Sequence, residues 1–515
     1  MHEFAGESRC VVRISHIHKL RRLGTAREPL SPTRDVQLHK HAGRPHSVFI
    51  LAHALACRRR ERHILRIDSF IMEHTMTRLP QLVLLCVVAF PTVAAPQSSR
   101  AAPAPEDSAV VVWIRKNSIP LRTLDAGSGF TDLAPIETIL QHARIVGLGE
   151  ATHGSDEFQR VKHRLFQFLV QQMGYTVFVI EAAFSDAQPM NDYLLHGKGS
   201  RADVLSKLGY LAWDTEEFAA MVDWMRAYNR TAPESKKIRF FGVDLYRNSV
   251  GRSKVVAALR RVLPTAVATT DSLFRTLAEQ ERRWPGWDTT VIDAARPQLD
   301  TLARELEARR AATPAVLTPA QWDDVIQLVN VMRYMAVRKH RDQYLAQNMV
   351  YLIDHEAPGT KFVLWAHNDH ITKDSLSLGY FLRQRYGDAY YALALYFNEG
   401  AYLTRSIQPL DGFKITKKPP AAPSSLESFL VRAQLPRFFL DLRAPAGTPA
   451  VDAWQRTSRE AYGGVWAFQD PTTLASLNDT LKVRDWYDGL LFVKESTPTH
   501  PTANARRIVE RKESF

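Results

Sequence analysis

Short apolar runs recur along the chain from residue 144 onward, and four of them lead to a carboxylate or an imidazole. Arg144–Leu148 runs into Gly149 and Glu150, Thr176–Ile180 into Glu181, Ile238–Val243 into Asp244, and Lys361–Trp365 towards His367. Tyr390–Tyr396 and Gly489–Val493 are further runs of the same kind. Runs of about four to eight residues rich in β-branched and aromatic side chains read as buried strands. Between them the period lengthens. Phe158, Val161, Leu165, Phe168 and Leu169 fall at helical spacing, as do Phe218, Val222, Met225 and Tyr228. Strands alternating with amphipathic helices predict an α/β fold, a parallel-type sheet covered by helices. Ligands of such sheets bind beyond the carboxyl ends of the strands. The ionisable residues that close the runs are therefore expected to meet in one strand-end cleft.

Residues 251–350 break the alternation. They are rich in Ala, Leu, Arg and Glu, and the stretches LARELEARR and WDDVIQLVNVMRYMAV are strongly helical, with Pro264, Pro285, Pro314 and Pro319 as punctuation. This pattern predicts a helical insertion between two strands, forming a lid over the cleft. No internal repeat is visible.

The first hundred residues differ again. Met76–Ala95 shows Arg78, then an apolar run from Leu79 to Val93, then the small residues Ala94 and Ala95. That is the order of a secretory signal peptide, and the run falls short of the roughly 20 apolar residues of a membrane span. It predicts a periplasmic or secreted protein with no membrane attachment after cleavage. Residues 1–75 hold nine of the 18 histidines and show no sustained period. They read as a basic extension, either non-native, with translation starting at Met72 or Met76, or disordered. Residues 96–107 (PQSSRAAPAPED) have a linker composition, which leaves 108–515 as the catalytic body.

Composition narrows the function. Of the net charge of +13, residues 1–75 carry +7 and Arg78 and Arg100 two more, so +4 remains for residues 101–515. The charge belongs to the extension and gives no reason to expect a nucleic-acid partner. All three cysteines (Cys10, Cys57 and Cys86) precede residue 100. Disulfides, thiol catalysis and thiolate metal sites are thereby excluded from the body.

Two segments carry the candidate chemistry. RIVGLGEATHG (144–154) places Glu150 and His153 on a glycine-bearing turn after a strand. KFVLWAHNDHI (361–371) ends a second strand with His367 and His370. Residues three apart on a strand face opposite ways, so the chain must turn at 366–368 if both histidines are to face the cleft. Alone, the first segment fits a Glu150 helix cap with a packed His153, and the second fits one core and one surface histidine. Together with Glu181 they gather three imidazoles and two carboxylates at strand ends, and buried ionisable groups in that number concentrate at functional sites. The body has no G-x-S-x-G elbow, no cysteine and no glycine-rich phosphate loop. What remains is water as the nucleophile. An imidazole takes its proton, a carboxylate orients the ring, and a second imidazole or a lysine stabilises the oxyanion. Hydrolysis of an ester or lactone fits these parts and requires no cofactor. The same residues are also compatible with a divalent metal, in a metal-dependent hydrolase or in a periplasmic metal- or haem-binding protein without catalysis.

The segments GLGEATHGSDEF, FVIEAAF and WAHNDHI, with NDYLLHGKG, FGVDLY and YDGLLFVKESTP around them, resemble the erythromycin esterase family from about Phe130 to the C-terminal region. The resemblance implies an α/β body with a helical insertion and hydrolysis of the macrolactone ester of erythromycin-like antibiotics. It also implies a small-molecule ester or macrolide as partner. It places the family's general base on His153 with Glu150 beside it, the second glutamate on Glu181 and the histidine pair on His367 and His370. An arginine of the studied esterases falls on Lys162. Lysine keeps the charge but loses the planar fork, a departure that bears on macrolide specificity more than on hydrolysis. Measured from Val161, Lys162 faces either the cleft or solvent, and the resemblance favours the cleft.

Overall fold

The six apolar runs become the six strands of a parallel sheet. In the computed structural model, which describes residues 105–209, 211–283, 286–337, 340–374, 376–405, 412–462 and 478–511, the strands are β1 (Ser118–Pro120), β2 (Ile145–Leu148), β3 (Val177–Ala183), β4 (Arg239–Asp244), β5 (Phe362–Trp365), β6 (Tyr390–Arg405), β7 (Phe413–Lys418), β8 (Arg437–Asp441), β9 (Arg459–Tyr462), β10 (Asn478–Leu481) and β11 (Gly489–Ser496). The basic extension, the signal segment and the linker up to residue 104 lie outside the described residues. A helix, Pro105–Asn117, starts the described body three residues ahead of the expected boundary.

Strands β11, β6, β2, β5, β3 and β4 lie side by side in that order, all parallel. At one edge β8 and then β1 add antiparallel, and β7 folds back on the far half of β6. β9 and β10 form a separate antiparallel pair. Every residue of β2, β3 and β5 is buried, as expected of a sheet covered on both faces. The order places β5 between β2 and β3, although β5 follows them by more than a hundred residues. This brings the ends of three segments remote in sequence next to one another.

The helix Asp156–Met173 follows the first motif. The Ser155 side chain caps it by accepting from Phe158 N–H, Asp156 and Glu157 sit in its first turn, and Gly174 closes it at φ 73°. These are the groups that a helix's unpaired ends and dipole favour. Between β4 and β5 lie the α-helices Ser249–Val262, Val267–Arg282, Thr289–Ala312, Pro319–Val337 and Arg341–Asp354. Leu277, Leu299, Leu306, Trp322 and Val329 pack among them. The last of these helices reaches the strand ends. Among the described residues no helix is long and apolar enough to cross a membrane.

Candidate active site

β2 delivers Glu150 and His153 on a turn that only small residues permit. A side chain at Gly149 would overlap the Asn368 amide, and one at Gly154 would overlap the Leu403 backbone. Glu150 is fully buried and His153 is 7% exposed. The carboxylate engages both neighbours. One oxygen lies 2.5 Å from His153 Nδ1, and the other accepts from Lys162 Nζ at 2.6 Å and from Trp365 Nε1 at 2.9 Å. Burial alone would raise the Glu150 carboxyl, but Lys162 and His153 hold it below its ordinary value. Burial pulls Lys162 down to about 8 against the opposing pull of Glu150. Lys162 therefore faces neither open cleft nor solvent. It lies beneath Glu150, with its ammonium 4.2 Å from the centre of the Trp365 ring. It touches the carboxylate that touches His153.

β5 ends at Trp365, and the chain turns at once into the short helix Asn368–Ile371, with the His367 side chain as its cap. The turn required for both histidines to share the cleft is present. Asn368 pins it, donating to the Leu395 carbonyl and accepting from Leu395 N–H, while its own N–H donates to the Glu150 carbonyl. The rings of His153 and His367 meet edge to face, 5.6 Å apart, with Trp213 on the other side of His153 at 5.0 Å. His367 Nδ1 lies 3.4 Å from both the Asp369 N–H and an Asp369 carboxylate oxygen. Burial opposes charge on the ring, but Asp369 and Glu181 raise it above its ordinary value, which favours the protonated form with a hydrogen on Nε2. That Nε2 is buried and has no hydrogen-bond partner among the described residues.

β3 contributes Glu181. One of its oxygens accepts from His367 N–H at 3.0 Å, and the other lies 3.0 Å from His370 Nε2 and 3.2 Å from the Arg341 guanidinium. Burial would raise Glu181, but His370 and Arg341 hold it well below the usual carboxyl range. Glu150, His153, Glu181, His367 and His370 are thus joined through direct contacts at the carboxyl end of the sheet.

Three participants were not assigned a site role from the sequence. Arg341 donates to both oxygens of Asp244, at 3.0 and 2.7 Å. Asp342 lies 2.8 Å from His370 Nδ1. Asp244 stood out only as a strand end. Arg341 and Asp342 open the last helix of the insertion, where a charged pair looks like any helix start. A cleft of about 450 Å³ opens beside them, lined by Arg341, Asp342, Asp369, His370, Asp479 and Trp486 among others. As for metals, Glu150 and Glu181 have each oxygen already engaged by a neighbour. Asp156, Glu217 and His500 also lie within ligand distance of one another, but Asp156 is paired with Arg160 and His500 with Glu217.

The model of the erythromycin esterase family matches residues 170–496. That span contains Glu181, His367 and His370, and it begins after Glu150, His153 and Lys162. The chain is 22% identical over 469 residues to YbfO of Bacillus subtilis (strain 168), covering 83% of this chain and 99% of that protein. It is 22% identical over 343 residues to erythromycin esterase type II of Escherichia coli, covering 59% of this chain and 81% of that one. A crystal structure of a succinoglycan biosynthesis protein superposes with a TM-score of 0.66 at 23% identity, covering 78% of this chain and all of the other. That likeness concerns the fold.

Proposed function

The chain belongs to the erythromycin esterase family, and from that membership we propose that it hydrolyses a carboxylic ester, with a macrolactone as the leading substrate, by means of water activated at His153. The observation that carries this reading is the asymmetry of the His153 ring. Its Nδ1 is held 2.5 Å from the buried Glu150 carboxylate, while Nε2 makes no hydrogen bond among the described residues. A carboxylate only accepts, so the ring's hydrogen sits on Nδ1 and a lone pair remains on Nε2. Water donates to that lone pair. As it attacks the carbonyl carbon its proton passes to Nε2, and Glu150 stabilises the imidazolium. The oxyanion of the tetrahedral intermediate receives the Nε2–H of His367, a donor with no other partner among the described residues. When the intermediate collapses, His153 returns the proton to the leaving alkoxide, and the products are an acid and an alcohol. Lys162 keeps Glu150 ionised throughout. Family membership supports hydrolase chemistry, and the name of the Escherichia coli relative supports the macrolide.

The test is an ester panel. Purified full-length protein is incubated with erythromycin, simple aryl and alkyl esters and small lactones, with and without a chelator, and products are read by mass spectrometry. The expected result is gain of one water by at least one ester, insensitive to chelation. A folded protein that hydrolyses none of them would overturn the reading, and activity lost on chelation and restored by a divalent ion would replace the water-only mechanism.

A further inference from the structure

Asp342 has no task in this scheme, yet it faces the one histidine of the cluster whose two ring nitrogens are both engaged. Asp342 Oδ2 lies 2.8 Å from His370 Nδ1 and accepts from Leu378 N–H at 3.0 Å. On the other side of the ring, Glu181 Oε1 lies 3.0 Å from Nε2. An imidazole with a single N–H cannot donate to two carboxylates. Arg341 complicates this, because one of its nitrogens lies 3.1 Å from the same Nε2, where it would donate to a neutral ring. Charge decides between the two states. Glu181 and Asp342 each bring a carboxylate oxygen to a different nitrogen of the His370 ring, at 3.0 and 2.8 Å. An imidazolium donates to both, whereas a neutral ring turns a lone pair towards one of them. Uncompensated charge is costly where solvent is excluded, and His370 is 12% exposed. His340, His367, Asp369 and Asp479 are further titratable groups around the ring, and all but His367 line the same cleft. Burial works against the charge on His370, but Asp342 and Glu181 hold it well above the ordinary histidine range.

We propose that Asp342 is a positioning residue of the hydrolytic site, clamping the His370 ring against Glu181 as an imidazolium so that Glu181 can hold the backbone of His367 in place. The inference rests on the proposed hydrolysis for its kinetic consequence but not for its structural content. The path is a chain of contacts. Asp342 fixes His370, His370 and Arg341 fix one oxygen of Glu181, and the other oxygen accepts from His367 N–H. His367 then presents Nε2 to the oxyanion. The two outer histidines thus differ in kind. His153 has one nitrogen free to act as a base, and His370 has neither.

Two measurements on the full-length protein test this. The first is the protonation state of His370 in 15N-histidine-labelled protein, read from long-range proton–nitrogen correlations and assigned by the signals lost in His370→Asn. In the wild type the ring should remain an imidazolium above the ordinary histidine range, at pH values where an unperturbed histidine is neutral. In Asp342→Asn its titration should move down by about 1–3 pH units, and Asp342→Glu should restore it at least in part. The second is kinetics on whichever ester of the panel is hydrolysed. Asp342→Asn should lower kcat by about 10²-fold with KM little changed, and Asp342→Glu should recover part of the loss. A wild-type His370 that is neutral at pH 7, or that titrates alike in both proteins, would overturn the clamp. A shifted titration with unchanged kcat would overturn its role in the reaction. If no ester is hydrolysed the proposed function fails, while the ring titration still decides the clamp. If the asparagine variant does not fold, the wild-type ring state and the glutamate variant decide it.

Discussion

Lys162 is a charged side chain with no exposed surface, and its neighbours explain how it is held. Glu150 supplies the counter-charge at 2.6 Å and Trp365 an aromatic face. With its pKa brought down to about 8, the ammonium persists at neutral pH. Removing one partner of a buried pair costs about 3–5 kcal/mol, so Lys162→Met should lower the unfolding free energy by about that amount in a denaturant titration. The wild-type enzyme should also lose kcat/KM on the alkaline side with a midpoint near 8, because discharge of Lys162 leaves the Glu150 carboxylate with His153 and the Trp365 N–H alone. A pH–rate profile flat across that range would contradict this role. The direction of Lys162 was legible in the sequence, though not from Val161. Lys162 lies four residues from both Phe158 and Phe166, which are fully buried, and residues four apart on a helix share a face. What no local pattern discloses is that this buried face carries a carboxylate from another segment.

At the scale of elements, the strand-end rule suffices to bring Glu150, Glu181 and His367 to one edge, because polarity at the end of an apolar run is a local signal. The insertion of β5 between β2 and β3 is not local. Strand pairing depends on which buried faces fit together, and the sequence pattern of each run is compatible with several neighbours. Arg341 was illegible for the same reason: its partner Glu181 is 160 positions away. The antiparallel strands escaped because their apolar runs are short or absent: β8 has only Phe438, Phe439 and Leu440 in a row, fewer than the roughly four that mark a buried strand. β7, for example, reads FKITKK. The junction between β2 and β5 makes its own prediction. Gly149→Ala would push Asn368 away from Leu395, shifting the turn that carries His367. Overpacking of this kind costs about 1–3 kcal/mol, and a displacement near 1 Å costs roughly 10²-fold in rate. Thermal unfolding and kcat of the variant should show both effects, and an unchanged kcat would mean that the turn is not held as described.

For the whole molecule, the cluster is a concentration of buried charge whose balance depends on pH. Glu181 is held well below its ordinary value, so its contribution to stability is present above the unfolded carboxyl pKa of about 4.3 and is lost as pH falls through the folded value. His370 has the opposite sign. Its pKa is raised, so its contribution is complete below about 6.5 and is lost as pH rises through the folded value. Glu181→Gln should therefore be less stable than wild type at pH 7 in denaturant unfolding, and the difference should shrink as the pH is lowered into the acid range. A difference independent of pH would show that Glu181 stabilises by packing and not by charge. The central claim concerns His153, and turnover of the His153→Ala variant on a hydrolysed ester tests it most directly. If His153 activates the water, kcat falls by about 10²–10⁴-fold while circular dichroism and thermal unfolding show an intact fold. A folded His153→Ala protein that turns over the ester at the wild-type rate would contradict the account.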